Sequence, residues 1–185
     1  MTTRCRLLLI NVLIVFFAAV SHATVIVPAD LGELSRDAKA IARGRVSAVT
    51  GRWTDDRRTI ETIVTLDVDR YLKGSLGSTI VFRVPGGALG RYRSIVVGAP
   101  EFAVGDRVIV FLGGNGPMVP FIVGFNQGVY RLLIAADRSG WLVTPPPNLP
   151  SASVSTPVVR GDPMRRPQRL AEFEQRVVSL VKAAQ

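Results

Sequence analysis

From Ile60 to Gly74 the chain reads IETIVTLDVDRYLKG, with Ile60, Val64, Leu66, Val68 and Leu72 on one parity and Glu61, Thr65, Asp67, Asp69 and Lys73 on the other. A two-residue period is that of a half-buried strand, so the first set is expected to face a core and the second water. Gly74 ends the run, and Thr79 to Val84 starts the next strand with Ile80, Phe82 and Val84 inward. Upstream, Ala40 to Trp53 reads as a long first strand. Its apolar residues Ile41, Val46 and Val49 do not share a parity, which predicts a bulge or sharp coil at Gly44. The polar cluster Thr54 to Arg58 is the hairpin loop between these two strands. Three strands in close succession form an antiparallel meander.

Before the meander, Asp30 caps a brief helix, with Glu33 as its capping-box partner and Leu31, Leu34 and Ala38 along one side. After it, Pro85-Gly86-Gly87 breaks the sheet, and Ala88 to Arg107 is the longest irregular stretch of the body. Long connections in small domains are often functional, so this loop is the first candidate surface. Val108 to Leu112 is apolar on both parities and is expected to be a central strand with both faces covered. Val119 to Phe125 and Val129 to Ile134 are expected to pair as a hairpin around Asn126-Gln127-Gly128, and Trp141 to Val143 is the final strand.

About seven short strands with regular turn signals predict a mainly β fold: a small OB-like antiparallel barrel, with a β-sandwich as the alternative. Thr144 to Pro157 holds five of the chain's 12 prolines, so residues 144–166 read as an extended linker. From Pro167, Leu170, Phe173, Val177, Leu180 and Val181 recur at helical spacing, which predicts a terminal helix over 167–183 whose apolar stripe either folds back on the barrel, as a core face would, or holds a partner.

The start of the chain changes this picture. Arg4 and Arg6 precede an apolar run from Leu7 to Val20, followed by Ser21-His22-Ala23, which are the three parts of a secretory signal peptide cut after Ala23. The expected address is the periplasm or the exterior, and the β-barrel domain is expected to span 24–143. Cleavage removes Arg4 and Arg6, lowering the formal charge from +9 to +7, together with the only cysteine, Cys5, and the only histidine, His22. The mature chain then has no disulfide, no imidazole base, no thiolate nucleophile and no Cys/His zinc site. No cofactor is expected. Carboxylates, Lys, Tyr, Ser and Thr remain for chemistry.

Among the candidates, Asp67 and Asp69 stand roughly 7 Å apart on one face of a strand, a spacing that could hold calcium or serve glycoside cleavage, although a wet strand face accounts for them as well. Arg91, Tyr92 and Arg93 could stack on and pair with a sugar, base or phosphate, although a solvated loop with a half-buried Tyr accounts for them as well. Arg165, Arg166 and Arg169 crowd the start of the terminal helix, where positive charge opposes the helix dipole and an anionic partner would relieve the conflict.

The segments ARGRV, VTLDVDRYLKG, VPGG, GDRVIVFL and FNQGVYRL, spanning Ala40 to Leu133, resemble a recurring pattern in uncharacterised exported bacterial proteins. More distantly they resemble the tissue-inhibitor-of-metalloprotease and netrin-like module. That resemblance implies a five-stranded OB-like barrel with a helix packed on it. The animal inhibitors bind the protease metal through a leading cysteine that this mature chain lacks, so inhibition does not carry over.

The functional expectation is a non-enzymatic binding module whose partner is a protein or an anionic polymer of the envelope or exterior. Its alternative is a binder of anionic polysaccharide or nucleic acid through Arg91, Tyr92, Arg93 and the Arg165 to Arg169 cluster. A hydrolase using Asp67, Asp69 or Glu61 is third.

Overall fold

The computed structural model describes residues 29–114, 118–146 and 166–184, so the expected signal peptide and residues 147–165 of the expected linker lie outside the described residues. The alternating run is β2 (Ile60–Lys73), paired antiparallel with β1 (Ala40–Trp53) and with β3 (Thr79–Pro85). There follow β4 (Gly87–Leu89), β5 (Tyr92–Ser94), β6 (Arg107–Gly113), β7 (Phe121–Ile122), β8 (Val129–Ile134), β9 (Trp141–Thr144) and β10 (Gln168–Arg169).

β6 pairs with β1 along one edge and with β7 and β8 along the other. β7 then runs parallel to β3 through the pair Arg83–Phe121, and the Arg83 amide donates to the Pro120 carbonyl at 2.9 Å. The order β1-β2-β3-β7-β6 therefore returns to β1 and forms an OB-like barrel rather than the alternative sandwich. β8, β9 and β10 continue the sheet outward from β6.

The expected hairpin between residues 119–125 and 129–134 does not form. Gly124 and Phe125 both take positive φ, at 68° and 55°, and turn the chain into a short 3-10 helix, Phe125–Gly128. That turn carries β8 away from β7 and onto β6 and β9. The described strands exceed the expected seven because the long loop folds part of itself into the β4–β5 ribbon and because β10 is too short to show a period.

β6 explains how two cores coexist. Val108, Val110 and Leu112 face the barrel interior with Val46, Val64, Leu66, Ile80, Phe82, Val84 and Ile122. Ile109 and Phe111 face the other way, onto helices α1 (Leu31–Asp37) and α2 (Leu170–Ala183). Each such side chain contributes on the order of 1.5–3 kcal/mol when fully buried, so both faces hold the strand. On α1 the capping box is made in full, with the Glu33 amide on Asp30 at 2.7 Å and the Asp30 amide on Glu33 at 3.0 Å. On α2, Phe173, Val177 and Val181 are buried, and the helix docks on its own barrel.

The first strand coils as Gly44 predicts. A Cβ at that position would lie 2.2 Å from the Asp67 carbonyl oxygen, so only glycine lets β1 and β2 cross this closely. Opposite it, Gly44 pairs with Val68 but Arg43 pairs with Arg70, leaving Asp69 as an extra, bulged residue. The bulge inverts the alternation. Leu66 and Val68 face the barrel core, whereas Leu72 packs with the helices rather than sharing their face as its parity suggests.

Candidate functional site

Thr62 and Gly87 begin the site, because they set the path of the long loop. Gly87, at φ 145°, leaves no room for a Cβ: one there would lie 2.3 Å from the Thr62 hydroxyl oxygen. That hydroxyl donates to the Gly86 carbonyl at 2.7 Å. The β4–β5 ribbon is thereby pressed against β1 and β2, and Tyr92 meets Trp53 edge to face with ring centroids 5.4 Å apart.

The loop's far end is held by a different set of contacts. Phe102 meets Phe82 edge to face at 5.4 Å and packs with Ala99 against the barrel core. Arg131 pairs with Asp106 at 2.7 Å, donates to the Glu101 carbonyl, and lies over the Phe102 ring. Between these anchors Ile95 and Val97 stand 76% and 82% exposed. An apolar crest held at both ends and left in water calls for an explanation, because folding alone does not require it.

Hollows flank the crest. One, of about 340 Å³, is lined chiefly by Ile60, Val84, Pro85, Val96, Phe121 and Phe125. The other, of about 320 Å³, lies under Arg93, Ile95, Val96, Ala99 and Phe102 beside Glu101. Glu61 and Arg83 also line the first hollow. Glu61 was expected on the wet face of β2 but is buried, and its carboxylate accepts from Nε and Nη2 of Arg52 at 2.8 and 2.7 Å. Arg83 has no ion pair or side-chain hydrogen bond among the described residues.

The residues singled out from the sequence fall in separate places. Arg91 donates to the Tyr92 hydroxyl at 2.9 Å and lies over its ring at 5.1 Å, so this pair is braced within the chain next to Trp53. Arg93 is part of the hollow under the crest. Arg166 is exposed, Arg169 is the N-cap residue of α2 on β10, and Arg165 lies outside the described residues. Trp53 ends β1, whereas β10 joins the sheet three strands beyond β6, which pairs with the opposite half of β1. The two basic groups therefore do not form one surface. Near Arg169 the chain supplies its own anions: Glu172 lies in the first turn of α2, and the Arg169 charge is among the influences holding the Asp137 carboxyl below its usual value, after hydrogen bonds from Ser139.

Asp67 and Asp69 are exposed and engaged elsewhere. Asp67 accepts a 3.4 Å bond from the Thr79 hydroxyl, while Asp69 pairs with Arg107 at 3.2 Å and approaches Arg43 at 3.9 Å. Neither lines a hollow with Glu61, and among the described residues no group of three His, Cys, Asp or Glu side chains could hold a metal ion. Glu174 on α2 was not singled out from the sequence. Its buried carboxylate joins Arg43 at 2.6 Å and Arg70 at 3.0 Å, tying the helix to β1 and β2. Its place on α2, one residue after Phe173, gave no signal of this role.

Among the described residues no helix is long and apolar enough to cross a membrane. No protein-family model matches the chain, and no curated protein matches it.

Proposed function

We propose that this is an exported, non-enzymatic binding module that holds a protein of the envelope or exterior on the crest and hollows of residues 86–102. The observation that carries the reading is the anchored apolar crest, Ile95 to Val97, presented to solvent between two hollows. Its position is one that OB-type barrels use for ligands, oligonucleotides and oligosaccharides being held on the face of strands 2 and 3 and on the loop between strands 1 and 2. Here β2, β3 and the 54–59 loop all contribute to the larger hollow. Export rests on the Arg4 to Ala23 sequence.

A second reading is favoured by the Trp53–Tyr92 pair with Arg91 stacked upon it, an aromatic and cationic group suited to an anionic polysaccharide or nucleic acid. Salt separates the two. Capture of host envelope and culture-fluid components on the purified Thr24–Gln185 protein, eluted in salt steps, should retain one protein through high salt. Release of glycan or nucleic acid at low salt would favour the second reading instead.

A further inference from the structure

We infer that the hollow between Arg83 and Val96 is a binding site for an amphipathic organic anion, an apolar chain ending in a carboxylate. This goes beyond the proposed protein partner, because it gives the hollow a ligand chemistry of its own, set by Arg83 and the apolar wall.

The argument begins with the lining. Ile60, Val84, Pro85, Phe121, Ile122 and Phe125 give an apolar wall, and a volume of about 340 Å³ lies in the range of small-molecule sites. Such sites combine an apolar wall with a few polar groups that orient the ligand, and here those groups carry opposite charges. Glu61 is the acid, and its Oε1 takes both bonds from Arg52, so this pair contributes little net charge to the hollow.

Arg83 differs. It sits on β3 where the barrel closes, its amide is fixed to Pro120, and its guanidinium has no ion pair or side-chain hydrogen bond among the described residues. Among the described residues the hollow thus presents a cation without an ion pair, Arg83, at an apolar wall. A guanidinium pairs with a carboxylate through two parallel N–H bonds, and the apolar wall favours a hydrocarbon chain over a strongly hydrated ligand. A neutral apolar ligand would leave Arg83 without a partner, and a compact inorganic anion would leave the aromatic wall uncovered. The carboxylate with an apolar tail meets both requirements.

The test uses dodecanoate titrated by calorimetry into the purified Thr24–Gln185 protein below the concentration at which the fatty acid forms micelles. Dodecanol, with the same tail and no charge, is the matched probe. Saturable one-to-one binding of dodecanoate is expected, with dodecanol bound about tenfold more weakly by the wild type and dodecanoate bound about tenfold more weakly by Arg83→Gln. Val96→Asp, which sets a like charge in the wall, is expected to weaken dodecanoate further while leaving the fold intact by circular dichroism. Absence of saturable dodecanoate binding would overturn the inference, as would equal affinities of the wild-type and Arg83→Gln proteins. The salt-stepped capture of a protein is a separate readout, so either idea can fail alone.

Discussion

The helix-covered side of the barrel and its looped end are built from the same kinds of residue and differ in whether those residues are satisfied. On the helix side, Ile109 and Phe111 are covered by α1 and α2, and Tyr130 stands 5.6 Å from Phe111 and 4.7 Å from Phe173 in a continuous aromatic row. Its arginines are partnered as well, since Arg43 and Arg70 share Glu174. At the looped end, Ile95 and Val97 remain in water and Arg83 has no ion pair among the described residues. The first arrangement is what stability requires, whereas the second is what a partner would complete.

That contrast can be broken from either side. Phe173→Ala, which removes the ring linking α2 to Tyr130, should cost about 3–5 kcal/mol and lower the melting temperature by many degrees in calorimetry. Glu174→Ala leaves Arg43, the more enclosed of its two partners, without its shorter ion pair. A loss of about 1–3 kcal/mol in urea unfolding is expected, below the usual cost of breaking a buried pair because Arg70 is largely solvated.

A third test is a pH dependence. Burial raises the Tyr130 phenol from 10.0 to about 12, with the Asp30 charge adding to the effect. Because the folded value is the higher one, the associated stability is fully present below pH 10 and is lost as pH rises toward 12. By pH 11 the wild type should have lost about 1.4 kcal/mol that Tyr130→Phe does not lose, measured as the difference between their unfolding free energies at pH 9 and pH 11. The smallest effect belongs to the looped end. Ile95→Ser with Val97→Ser should change stability by less than about 0.5 kcal/mol, since neither side chain is buried.

Much of the architecture was legible in the alternation of β2 and β3, the two-sided apolar run of β6 and the helical stripe of α2. The inversion at Asp69 was not, because a bulge is a property of the pair of strands and only Gly44 hints at it from one side. The failed hairpin had a similar cause: the turn at Gly124 and Phe125 reassigns β8 to a partner distant in sequence.

The candidate site was legible only as a location. The long loop marked the place, and Arg91 to Arg93 drew attention to its charge. The apolar crest and Arg83 became visible only once the loop's anchors at Thr62 and Phe102 were known. Glu61 shows the limit of parity, since its alternating position placed it in water while Arg52 holds it at the wall of a hollow.

The measurement that bears most directly on the looped end is capture from host envelope and culture fluid with three proteins side by side: wild type, Ile95→Ser/Val97→Ser, and Arg70→Ala on the helix side. If the crest is the binding surface, the protein retained by wild type through high salt is also retained by Arg70→Ala and is lost at least tenfold from the crest variant, whose melting temperature is unchanged. Equal capture by the crest variant and wild type would contradict the account and place the binding surface elsewhere on the barrel.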